Sequence, residues 1–330
     1  MSHSVPVRWS VTLPGLCIDP PLLVSDVVTC RVGGTVVGYD AHRGTPRWSI
    51  EVDGGTARPF FVAGGHLVVG TKQAPERLTR LTGIDARGAV VWQTFLGTVA
   101  GNDGCAIGDT AFLPAMRVPR GVSFHALDAR TGAVTSTALD WGMQGLAVAG
   151  EQLIARNRFG GAQFPGLFFI SPTGSPGQRL LDAPVYKVIT DPRRIYCVTA
   201  GTGPNSFELL VRGGDGLTPK WATPTGTYQC AVEGNQLAHA DPTDPRIVVS
   251  RDAETSDVQW RSEPLSREVG SLIFAGGLLF AGVDEGLVVL RRGDGRLLDI
   301  VGGGYAAAMY GRDIYVAANN DLQCWTPAGD

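Results

Sequence analysis

The sequence predicts an all-β, eight-bladed β-propeller of four-stranded antiparallel blades, its N-terminal strand closing the last blade. Three observations predict it. A turn motif returns at a near-constant interval, each interval holds four strand-like runs, and an orphan strand-like segment lies near residue 9.

The motif first reads Val37-Gly38-Tyr39-Asp40-Ala41-His42-Arg43-Gly44-Thr45-Pro46-Arg47-Trp48, with Trp four residues after the last Gly. It returns as Thr82-Gly83-Ile84-Asp85-Ala86-Arg87-Gly88-Ala89-Val90-Val91-Trp92, and a worn copy, Ala126-Leu127-Asp128-Ala129-Arg130-Thr131-Gly132, lacks the Trp. Equivalent turns end at Gly44, Gly88, Gly132, Gly174, Gly216, Ser256, Gly295 and Gly329, spaced by 34 to 44 residues. Loops of unequal length on a constant core produce such a drift. Seven blades is the alternative, should one degenerate repeat be an insertion.

Within an interval the strands alternate with small turns. The second repeat divides into Phe60–Val62, His66–Gly70, Arg80–Ile84 and Ala89–Thr94, the seventh into Ser271–Phe274, Leu278–Ala281, Leu287–Leu290 and Leu297–Val301. The first two strands are joined by turns such as Ala63-Gly64-Gly65 and Ala275-Gly276-Gly277, where Gly tolerates the positive φ of a tight hairpin. Apolar residues show no helical spacing. Radial repetition of four-stranded sheets leaves few exposed edges, which favours a propeller. The last repeat ends after a third strand, Leu322-Gln323-Cys324-Trp325, while Val7-Arg8-Trp9-Ser10-Val11 has no repeat of its own. Trp9 matches the outer-strand residues Trp48, Trp92, Trp221 and Trp260. Blade 8 is therefore expected from residues 304–330 plus 5–13, and residues 1–330 form one propeller domain.

The composition agrees. Of 330 residues 44% are hydrophobic and 18% charged, and 45 Gly with 21 Pro would interrupt long helices repeatedly. A net charge of −3 gives no general attraction for nucleic acid, which is disfavoured as a partner, or for acidic membranes. No run approaches the length of a membrane span and no export segment is visible, so a cytoplasmic protein is expected. The six cysteines show no C-x-x-C spacing and are expected as buried free thiols.

The pattern Ala-Leu-Asp-x-x-Thr-Gly-x-x-x-Trp, met at Leu127–Gly132 and, with Trp, at Asp40–Trp48, resembles the blade signature of the pyrroloquinoline-quinone-like (quinoprotein-like) propellers. The resemblance implies the architecture over nearly the whole chain and leaves activity open. Dehydrogenases of that family use an Asp base, a Ca²⁺ held by carboxylates and amides, and often a vicinal cysteine pair. This sequence has no Cys-Cys pair and no acidic cluster with calcium-loop spacing, so neither quinone nor Ca²⁺ is expected and the chain resembles a non-dehydrogenase member. Members without the cofactor site act as protein-binding scaffolds.

The recurring residues read as structure. The constant offset of the Trp residues from the turn suits docking of one blade on the next, and Asp40, Asp85 and Asp128 suit closure of their own turns. No zinc spacing occurs among the histidines; His239, near Asp241 and Asp244, is the one worth testing as a ligand. No catalytic motif is present.

Function is sought where the repeats differ. Loops between second and third strands share a face with the inter-blade loops. They are short in blades 1, 7 and 8 and longer in blades 2 to 6, at Thr71–Arg80, Pro114–Gly121, Arg156–Gly166, Gly201–Ser206 and Asp241–Arg246. These bring Lys72, Arg77, Arg80, Arg117, Arg120, Arg156 and Arg158 to one sector with Met116, Phe159 and Phe164, and inter-blade loops add Arg58, Trp141, Tyr186, Tyr228 and Arg267. Arginine and aromatic side chains on such a face suit a protein or peptide partner, an acidic one included. The expected function is a non-catalytic scaffold, monomeric on its own. The alternative is an enzyme with a small-molecule pocket at the central channel mouth, where Asn102, Asp103, Gln144, Lys187, Gln229 and Ser271 are the polar candidates.

Overall fold

Eight separate antiparallel sheets make up the computed structural model, one for each predicted repeat, and among the described residues there is no helix. It describes residues 6–326 apart from 18, 53, 74–77, 97–98, 101–103, 117–121, 140–142, 158–165, 203–205, 214–217, 285, 303, 311–312 and 319. Eight sheets dispose of the seven-blade alternative.

From the inside outward, blade 1 is Leu22–Val24, Val27–Val32, Thr35–Asp40 and Pro46–Glu51, and blade 2 is Gly55–Ala63, His66–Gln73, Leu78–Ile84 and Val90–Leu96. Blade 3 splits its inner strand into Val99–Ala100 and Cys105–Ile107, both paired with Thr110–Met116, followed by Val122–Asp128 and Val134–Leu139. Blade 4 is Gly145–Ala149, Gln152–Asn157, Gly166–Ile170 and Pro176–Leu181. Blade 5 is Val185–Thr190, Arg194–Ala200, Phe207–Gly213 and Pro219–Thr225. Blade 6 is Cys230–Glu233, Gln236–Ala240, Val248–Asp252 and Val258–Arg261, and blade 7 is Ser271–Ala275, Leu278–Val283, Gly286–Arg291 and Leu297–Gly302. Blade 8 takes Gly304–Tyr310, Asp313–Ala318 and Asp321–Trp325 from the C-terminal region and its outer strand, Val7–Thr12, from the N-terminal region. That closure is antiparallel, with Trp9 opposite Cys324 and Thr12 opposite Asp321, and an Arg8–Asp313 ion pair at 3.1 Å joins it.

Each outer-strand Trp reaches into the next blade. The indole N–H of Trp9 donates to the Ala41 carbonyl at 3.1 Å, Trp48 to Ala86 at 3.0 Å, Trp92 to Ala129 at 2.8 Å, Trp221 to Ala253 at 3.1 Å and Trp260 to Arg292 at 2.7 Å. Every acceptor directly follows the first residue of a turn, so the ring lies over that turn and its polar edge is satisfied there. Space for it comes from two sides. Gly83, opposite Trp92 in its own blade, would drive a Cβ into the indole. The turn Gly of the next blade does likewise: a Cβ on Gly132 would meet Trp92 at 2.7 Å.

The turns close themselves. One Asp40 oxygen accepts the backbone N–H groups of His42 and Arg43, and the other accepts Arg47 at 2.6 Å. The Arg47 bond above all, with those two amides, holds the Asp40 carboxyl down at about 2. Asp128 and Asp252 bind the amides of the second and third residues beyond them in the same way. Ser256 adopts φ 68°, the value Gly44 has, and so fills the glycine place of its turn.

The core is correspondingly divided. Each of the eight buried apolar clusters spans one blade–blade boundary. One joins Val68, Leu81 and Trp92 to Ala111, Leu113 and Leu127, and another joins Val28, Cys30 and Tyr39 of blade 1 to Tyr315, Leu322 and Cys324 of blade 8. All six cysteines are free thiols, and Cys105 is the one not fully buried.

The second-to-third connections of blades 2 to 4 are shorter than the sequence suggested. Thr71, Lys72 and Gln73 pair with Arg80, Thr79 and Leu78, because alternating Thr and Leu residues continue the ladder. Likewise Met116 pairs with Val122 and Asn157 with Gly166. Lys72, Arg80 and Arg156 therefore stand on strand ends.

Replacing Trp92 by Ala is expected to lower unfolding free energy by about 3–5 kcal/mol. Gly83→Ala should cost about 1–3 kcal/mol by overpacking the same ring. Gly33→Ala, where no atom lies within 4 Å of the added carbon but φ is +58°, should show backbone strain alone. Urea denaturation of the three variants checks the order.

Candidate functional site

Inner strands begin, and second strands end, on one face of the ring. Gly145 stands opposite Arg156, Val185 opposite Thr199 and Ser271 opposite Gly282. At the centre of that face the channel opens into a cavity of about 840 Å³. It takes residues from blades 2 to 7 and from the strap before blade 1: Asp19 and Pro20 of that strap, Phe60, Gly104, Leu146 with Arg156, Tyr186 with Lys187 and Val188, Tyr228 with Gln229, and Ser271. Its volume lies in the range of ligand sites.

The structure brings together members of both sets singled out in the sequence. Arg156, Tyr186 and Tyr228 from the loop-face set and Lys187, Gln229 and Ser271 from the channel set line this one cavity. Gln144 lies beside it, its backbone N–H donating to the Arg156 carbonyl at 3.0 Å. Lys72 is exposed on the same face, at the end of the blade 2 second strand, away from the cavity wall, and Arg80 and Arg267 also lie outside that wall. Arg58 and Met116 are placed by their backbones in blades 2 and 3. Arg77, Asn102, Asp103, Arg117, Arg120, Trp141, Arg158, Phe159 and Phe164 lie outside the described residues.

Chemistry concentrates at the boundary of blades 5 and 6. The Lys187 ammonium donates to the Gln229 side-chain oxygen at 3.0 Å and to the Cys230 carbonyl at 3.1 Å. Tyr186 and Tyr228, which line the same cavity, are joined edge-on through Phe207: Tyr186 to Phe207 with centroids 5.3 Å apart, and Phe207 to Tyr228 at 5.9 Å. Tyr228 is 47% exposed and stands at the rim. Asp19, also in the wall, is 6% exposed. Two cations and one carboxylate thus face the cavity, a positive spot in a chain of net charge −3.

Several wall residues escaped the sequence reading. Positions 144, 186 and 228 recur every 42 residues, so an aligned repeat could have brought Leu146 and Val188 in. Asp19 and Pro20 belong to the strap between the closing strand and blade 1, outside any repeat. Phe207 opens a third strand, and only the folded packing sets it between the two tyrosines.

The donor set among the described wall residues does not fit a quinoprotein centre. Ca²⁺ takes six to eight oxygen ligands, several of them carboxylates, whereas the described wall offers the single carboxylate of Asp19. No group of three or more His, Cys, Asp or Glu residues among those described could hold a metal. His239 is no ligand either. It is fully buried, its Nδ1–H donates to the Ala240 carbonyl at 2.8 Å, and Nε2 accepts from Arg251 at 3.0 Å.

The fold and this mouth define a closed β-propeller with a one-sided central cavity. Residues 6–157 match the family profile PQQ_2, described as outer membrane protein assembly factor BamB. That match, over somewhat less than half of the chain, makes the chain similar to the PQQ-like repeat propellers. Solved structures agree on the fold. BamB from Moraxella catarrhalis is 15% identical with a TM-score of 0.70, over 98% of this chain and 100% of its own. Sqt1 from Saccharomyces cerevisiae is 13% identical, TM-score 0.68, over the whole of both chains. Quinohemoprotein alcohol dehydrogenase from Comamonas testosteroni is 12% identical, TM-score 0.67, over 99% of this chain and 77% of its own. No curated protein sequence is significantly similar.

Burial lowers the His239 pKa from 6.5 to about 4. As pH falls the unfolded imidazole takes its proton first. The His239 contribution should therefore lower stability between about pH 6.5 and 4, by about 3 kcal/mol, before the turn carboxylates with lowered pKa values, Asp40 among them, take protons at still lower pH. Unfolding free energies against pH should show this fall in the parent chain, and His239→Gln should lack it.

Proposed function

We infer that the chain is a protein-binding scaffold whose partner, a protein or peptide with acidic groups, sits on the face where inner strands begin. The observation that carries this is the meeting of Arg156, Tyr186, Lys187 and Tyr228 around one open cavity. Arginine and tyrosine are the side chains that most often anchor partners, since they combine large contact area with directional donors. The match to an assembly-factor family supports a binding role over a catalytic one. So does a described wall without His or Cys. The ring closes within one chain, which supports a scaffold that needs no second copy, and six free thiols support residence in a reducing compartment such as the cytoplasm.

The test is co-purification of the native chain with its partner, then the same with the double variant Arg156→Glu, Tyr228→Ala. The variant should melt within a few degrees of the parent and lose the partner by a factor of about ten or more. Undiminished capture by a folded variant would remove this face from the binding surface.

A further inference from the structure

We propose that the part of the central cavity at the boundary of blades 5 and 6 is a carboxylate socket that takes an aspartate or glutamate side chain of a partner peptide, with a neighbouring apolar side chain of that peptide laid on the tyrosines. The inference rests on the scaffold reading and specifies what the central cavity recognises.

The argument starts from Lys187. An ammonium carries three N–H donors, and the acceptors it meets, the Gln229 side-chain oxygen and the Cys230 carbonyl, are both neutral. Lys187 has no carboxylate partner among the described residues, which distinguishes it from Arg47, Arg246 and Lys220, each paired with an acid. Inside a partly enclosed wall such a charge attracts an anion more strongly than it would in open water.

Gln229 adds to this. With its oxygen turned to Lys187, the amide presents its NH₂ group the other way. The hydroxyls of Tyr228 and Ser271 and the guanidinium of Arg156 share the wall. Asp19 is the one acid among the described wall residues, against the two cations Lys187 and Arg156, a balance that favours an anion held by charge-assisted hydrogen bonds. Tyr186 and Tyr228, joined edge-on through Phe207, line the same cavity as Lys187 and offer an apolar surface. An acidic residue followed by a branched or aromatic one satisfies both halves at once. A nucleic acid fits less well, because the net charge of −3 supplies no general field for a polyanion.

A phage-displayed random dodecapeptide library, selected on the intact folded chain, tests this. Enriched peptides should carry Asp or Glu next to an apolar residue, and resynthesised ones should bind in fluorescence anisotropy. Exchanging the acid for its amide, or Lys187→Met in the protein, should each weaken binding about tenfold or more. The two changes together should cost little beyond either one, since they remove the same contact. Lys187→Arg should recover part of the affinity, and Arg296→Ser on the outer rim should change nothing. Thermal melts confirm that each variant is folded; if Lys187→Met is not, Gln229→Leu takes its place with the same expectation. Enrichment of peptides without acids, no enrichment, or binding indifferent to Lys187 would overturn the socket. Peptides that ignore Lys187 yet are lost with Arg156→Glu, Tyr228→Ala would leave the scaffold reading standing without it.

Discussion

The contact between an outer-strand indole and the turn of the following blade is the constraint on which this molecule depends. A four-stranded sheet of this size cannot bury both faces by itself. Each blade stays folded because its neighbour covers it, and the Trp N–H bonds to Ala41, Ala86, Ala129, Ala253 and Arg292 set the angle and register of that cover. The glycines opposite and beneath the rings exist to admit them. Since all eight clusters span a boundary, the core is a circle of interfaces, and loss of closure at Trp9 would expose two blades at once.

Closure also makes the site. Residues 42 positions apart in sequence, Tyr186 and Tyr228, become neighbours across one boundary with Phe207 between them, and Lys187 reaches from blade 5 to the carbonyl of Cys230 in blade 6. The same geometry that repeats a structural contact around the rim gathers unlike side chains at the hub. Positions tied to blade docking have little freedom to vary, whereas the start of each inner strand faces the channel and can differ from blade to blade. Tyr186, Tyr228 and Ser271 are three such choices.

What the sequence disclosed follows from this division. The Asp-Gly-Trp spacing reported the fold because each member meets a local requirement, a turn closed by Asp40, a positive φ at Gly44 or Ser256, and a ring seated four residues on. The closing strand was legible for the same reason: Trp9 stands where the other outer strands carry theirs. Strand ends were less so, since Thr71 to Gln73 could as well have been loop and ladder pairing decided otherwise. The site was half legible. Polar residues at inner-strand starts could be named, but their convergence on one cavity, the Lys187 contacts and the part of Phe207 arise from distances across blades. Asp19 and Pro20, in a strap that never repeats, gave no periodic signal.

The central claim is that binding belongs to the hub of one face. Hydrogen exchange of the native complex against the free chain tests it most directly. Amides around Leu146, Val185–Val188 and Gln229–Cys230 should exchange more slowly in the complex, while the turns at Asp40–Gly44, Asp85–Gly88 and Asp128–Gly132 on the opposite face stay unchanged. Protection confined to those turns or to the outer strands, with the hub unaffected, would contradict it.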